Sequence, residues 1–138
     1  MPNNDELIGT MVLIHPQLLN DPADKAGKVG IITGADLDHD NIFVSFGRAG
    51  QGVYGSDALL VLRPAEQLKD VLEKNKANLS VDDYGTLYQM ALLKEFRISV
   101  ANIKTGMSLA MRNDTVLGYG MESLEDKLGL RQVHSMLR

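Results

Sequence analysis

Lys28-Val-Gly-Ile-Ile-Thr33 and Asn41-Ile-Phe-Val-Ser-Phe46, separated by seven residues, are the runs from which the architecture is read. Both are too short for a stable helix and rich in β-branched and aromatic residues, so both predict strands. In the second run Ile42, Val44 and Phe46 alternate with Asn41, Phe43 and Ser45. That period of two places one face on a core and the other toward water, and it puts Phe43 on the outer face. Between the runs, Gly34-Ala-Asp-Leu-Asp-His-Asp40 predicts a hairpin tip, because Asp tolerates turn geometry and bonds its own backbone.

Two further strand-like runs flank this pair, Gly9 to Ile14 before it and Val53 with Ala58 to Leu62 after it. Past Arg63-Pro64 the spacing becomes helical. Pro64 suits a helix start, and Leu68, Val71, Leu72 and Leu79 follow as an apolar stripe. Ser80-Val-Asp-Asp83 has the form of an N-terminal cap and introduces Tyr84, Leu87, Tyr88, Ala91 and Leu92. Val100, Ile103, Met107, Ala110 and Met111 extend the period, Asn113 is read as a stop, and Thr115 to Gly120 as a break in the pattern. Met121, Leu124 and Leu128 form a last short amphipathic piece closed by Gly129. The expected organisation is a β region over 1–63 and a helical region over 64–138 docked on it, since about 60 residues of strand make only a marginal core.

The composition, 44% hydrophobic and 23% charged over 138 residues, is that of a folded domain. Without cysteine the chain has no disulfide framework, thiolate metal site or thiol nucleophile. No apolar run exceeds five residues, far short of the roughly 18 that cross a bilayer. The opening Met-Pro-Asn-Asn-Asp-Glu lacks the basic and apolar regions of an export signal, so a cytoplasmic location is expected.

Ala26-Gly-Lys-Val-Gly-Ile-Ile32, followed after a short loop by Asn41 to Phe46, resembles the KOW motif of SH3-like β-barrels, with the wider barrel pattern running from about Gly9 to Leu62. The resemblance implies a small, strongly bent barrel and, in ribosomal and transcription-linked members, nucleic-acid contact through basic loops. This sequence departs from the pattern in two places. Asp24 stands where the family usually has Gly, and the hairpin tip carries Asp36, Asp38 and Asp40 in place of Lys and Arg. Residues 1–63 hold four Lys/Arg against eight Asp/Glu, while residues 64–138 hold ten of each. An acidic β region repels the phosphate backbone that a nucleic-acid binder has to neutralise.

Other motifs resolve into structure more readily than into chemistry. Gly50-Gln-Gly-Val-Tyr-Gly55 spells a dinucleotide-binding fingerprint, but a β-rich run follows where the fold requires a helix, so the glycines are read as a tight connection. Asp36 to Asn41 starts like a calcium loop but has Asn41 at the turn position and Gly47 where a bidentate Glu belongs, so it reads as a solvated acidic turn. His15, His39 and His134 fit no metal-ligand spacing, and no nucleophile or isolated carboxylate pair marks a catalytic centre. Met90, Met107, Met111, Met121 and Met136 suit core filling in the helical part.

The sequence therefore predicts an α+β protein, an N-terminal SH3-like barrel with C-terminal helices packed on it, without cofactor, metal or catalytic residues. The function expected is a non-catalytic interaction module for a protein or peptide partner, with self-association through the helices as an added mode and no membrane role. Its contact residues are expected to be Phe43 and Tyr54 beside Asp36, Asp38 and Asp40, aromatics giving area and acids steering a basic segment. The alternative is a nucleic-acid-binding accessory protein of KOW-like type using Lys25, Lys28, Arg48, Arg131 and Arg138.

Overall fold

The computed structural model describes residues 4–19, 21, 23–96 and 100–129. Its strands are β1 (Met11–Ile14), β2 (Val29–Asp36), β3 (Asn41–Ser45), β4 (Gln51–Tyr54), β5 (Leu59–Leu62) and β6 (Met121–Ser123), in the sheet order β4-β3-β2-β1-β5-β6. The pairings β1–β2, β1–β5, β2–β3 and β3–β4 are all antiparallel. The class is α+β, but the SH3-like barrel expected from the sequence is corrected to an open sheet with ends at β4 and β6. Val53 and Ala58 to Leu62, read as one run, belong to two strands with different neighbours. Gly55 and the 3-10 turn Ser56–Ala58 carry the chain away from β4, and β5 pairs with β1 through Leu13–Leu60 and Ile14–Leu59. Among the described residues no strand returns to close the far side of β4.

By Cα packing the chain divides into two compact units, one made of residues up to Val61 together with those from Ser123 on, the other of Leu62–Glu122. In the first unit Val12, Ile14, Ile32, Ile42, Val44, Tyr54, Leu59 and Val61 form one core with Leu7, Leu37, Ala58 and Leu124. Fully burying each large aliphatic among them contributes about 1.5–3 kcal/mol. The helix α5 (Leu124–Leu128) joins this unit rather than the helical one because Leu124 enters that core and Leu128 packs against it. Ser123 caps it by accepting from the Asp126 N–H at 3.0 Å, and Gly129 ends it at φ 72°, as the sequence predicts for that glycine.

The second unit holds α1 (Ala65–Asn75), α2 (Val81–Phe96), α3 (Val100–Ala110) and α4 (Asp114–Gly120). Ser80 caps α2 through the Asp83 N–H at 3.0 Å, as its pattern predicts. Thr115 to Gly120 is no break: Asn113, expected as a stop, is the cap of α4 and accepts from the Val116 N–H at 2.9 Å. Two glycines in seven residues hide that helix from propensity, while Val116 and Gly120, four apart, give it a buried face. Met90, Met107 and Met121 are buried, Met111 is exposed, and Met136 lies outside the described residues. No described helix is long and apolar enough to cross a membrane.

The Gly-Lys-Val-Gly run has a steric reason. Gly27 sits at φ 79°, and a Cβ on Gly30 would lie 2.5 Å from Val44 Cγ1 and 3.0 Å from the Ser45 carbonyl oxygen, so β2 and β3 approach closely only without a side chain there. Gly34 differs, since its Cβ would meet Phe43 at an ordinary 3.5 Å. Urea unfolding is therefore expected to show Gly30→Ala less stable by about 1–3 kcal/mol, the cost of overpacking, and Gly34→Ala unchanged or slightly stabilised. Equal losses at the two positions would contradict this packing.

Candidate partner-binding site

The structure separates the two aromatics that the sequence suggests as one set of contact residues. Ile42 is paired with Tyr54 and Phe43 with Val53, so alternation sends Tyr54 to the core face and Phe43 to the opposite one. Tyr54 is 5% exposed and Phe43 is 41% exposed. The Tyr54 ring meets Phe46 edge-on at 6.4 Å and lies over Gly52, where a Cβ would come within 2.7 Å of it. Its hydroxyl donates to both Asp21 oxygens, at 3.1 and 3.2 Å.

The acidic tip is built into the fold. The Asp36 carboxylate lies 2.8 Å from His39 Nδ1. Asp40, at φ 53°, accepts from the Ser56 N–H at 3.0 Å and so ties the β2–β3 turn to the segment after β4. Asp38 is exposed. Of the cations, Lys25 sits 5.8 Å above the Phe46 ring, Lys28 and Arg48 are exposed, and Arg131 and Arg138 lie outside the described residues.

What the structure assembles instead is an edge. The Phe46 N–H donates to the Gly50 carbonyl at 2.8 Å, which sets the parity of the β3–β4 ladder. Pairs Val44–Gly52 and Ile42–Tyr54 are then the hydrogen-bonded ones, and the main-chain N–H and C=O groups of Gln51 and Val53 point away from β3. β4 is the last strand on that side of the sheet, and it carries no charge, Lys or Pro to discourage pairing. Beside it runs a slot of about 360 Å³ lined by Asp21, Ala23, Gln51, Gly52 and Val53. On the outer face of β2–β3–β4, Ile31, Phe43 and Val53 are 39%, 41% and 53% exposed, and Phe43 and Val53 are cross-strand partners at the edge.

The far wall of the slot is held by Asp21, which accepts from the Ala23 and Lys25 N–H groups at 3.0 and 2.7 Å besides binding Tyr54. Sequence reasoning missed Asp21, Gln51 and Val53. The role of Asp21 depends on a partner 33 residues away, and the alternation of Gln51 and Val53 is masked by the three glycines around them.

Compared with known proteins, the chain matches no protein-family model, no curated protein and no solved structure.

Burial, then the hydrogen bond to Asp21, then the Asp21 charge push the Tyr54 phenol from the ordinary 10.0 up to about 12. The fold holds the protonated phenol, so this contribution to stability is complete below the ordinary value and is lost as pH rises through the folded one. In an ultraviolet titration, the difference between the native chain and Tyr54→Phe is expected to show a phenol ionising near 12. Asp21→Asn should lower that value without restoring the ordinary one, because burial remains. A Tyr54 that ionises like a free phenol would contradict the Asp21 clasp.

Proposed function

We propose that this chain is a non-catalytic interaction module that adds an extended segment of a partner protein as a further strand on the free edge of β4. The observation that carries this reading is the pair of outward-facing N–H and C=O sets at Gln51 and Val53 beside the slot walled by Asp21 and Ala23. Strand addition draws affinity from main-chain hydrogen bonds and selectivity from alternate side chains. The slot accommodates a few residues of extended chain, at the lower end of the roughly 300–1,000 Å³ of ligand pockets. Val53, with its cross-strand partner Phe43 behind it, supplies apolar contact for the ligand side chain opposite it.

A proline at position 53 tests this reading with little damage to the fold, because the Val53 N–H faces outward and is not used by β3. Peptides selected by display against the native chain are expected to bind Val53→Pro at least about tenfold more weakly, given two or more hydrogen bonds lost or misaligned. Val53→Thr, which keeps the N–H, should retain binding. Selection that yields no binders, or binders indifferent to Val53→Pro, would overturn the proposal.

A further inference from the structure

Resting on that reading, we infer that the β4 edge selects the direction of its ligand. The segment it takes runs antiparallel to β4, with a basic N-terminal end and an acidic C-terminal end.

The direction comes from charges at the two ends of the strand. Arg48 stands in the 3-10 turn Gly47–Ala49 just before β4, exposed and without an ion-pair partner among the described residues. Just after β4 come two carboxylates. Asp57 is exposed in the turn Ser56–Ala58, and its Oδ1 and the Asp40 Oδ2 lie 3.0 and 3.1 Å from where a Cβ on Gly55 would stand. Asp40 holds the Ser56 N–H with Oδ1, which leaves Oδ2 for a second donor. The four residues of β4 set the two ends about 14 Å apart at a rise of about 3.4 Å each. That exceeds the screening length of about 8 Å at physiological salt, so each end acts on a ligand separately. An antiparallel strand brings its N-terminal end to the carboxylates and its C-terminal end to Arg48. The parallel alternative reverses both contacts and forms the weaker ladder.

The middle of the pattern follows from the register. Ligand residues opposite Val53 and Gln51 share their face, so the one at Val53 extends the exposed cross-strand pair Phe43–Val53 and is apolar. The residue between them, opposite Gly52, turns to the face where the Tyr54 ring covers Gly52 and Asp21 and Ala23 wall the slot. That side chain therefore enters the slot of about 360 Å³.

Two synthetic peptides test the inference by fluorescence anisotropy: Lys-Lys-Thr-Val-Ala-Thr-Ser-Glu-Glu, and its charge-exchanged form Glu-Glu-Thr-Val-Ala-Thr-Ser-Lys-Lys. The native chain is expected to prefer the first by about tenfold at low salt, and the preference should shrink as salt is added. The double variant Arg48→Glu, Asp57→Lys, both exposed positions, should prefer the second. Equal binding of the two peptides to the native chain overturns the directional inference and leaves strand addition standing. Binding of the first peptide that survives N-methylation of its Val and Thr amides overturns strand addition as well, as does binding of neither peptide.

Discussion

The structure turns on where β5 goes after β4. Gly55 and the turn Ser56–Ala58 lead the chain to β1, and with β1 on one edge of β5 through Leu13–Leu60 and Ile14–Leu59 and β6 on the other, no edge of β5 is left for β4. β4 keeps β3 on one side and presents its remaining main-chain groups on the other. Backbone amides without a partner are tolerable at a surface, where water satisfies them, and they remain a template for another strand. The interaction reading, the position of the slot and the directional pattern all derive from that single opening.

Side-chain hydrogen bonds tie the segments around this edge to one another. Asp21 fastens its own loop through two main-chain N–H groups and fastens Tyr54 through the phenol, so one carboxylate holds both walls of the slot. Asp40 does the same at the far end by holding Ser56. These acids, which composition presents as a solvated negative surface, are partly structural. Exposed Asp38 and Asp57 are the freer part of that charge.

Local rules carried the sequence reading a long way. The alternation in Asn41 to Phe46 placed Ile42 and Val44 inward and Phe43 outward, as the burial shows. The cap at Ser80 and the stop at Gly129 were equally legible, because capping depends on residues within one turn. Whatever depends on a distant partner was not legible. Closure of the barrel is decided by which strands flank β5 on its two edges, and four apolar residues in a row do not say. Tyr54, expected as a contact residue, is buried, with its ring lying on Gly52, where a Cβ would clash with it. The helix after Asn113 escaped because its signal is a cap and two small contact points rather than propensity.

The most direct test of the open edge is residue-resolved amide hydrogen exchange on the unliganded chain. Gly52 and Tyr54, whose N–H groups face β3, are expected to exchange slowly, and Gln51 and Val53 to exchange fast, in strict alternation along four residues. Uniform protection across all four would mean that the outer side of β4 is already paired, and the account would fail.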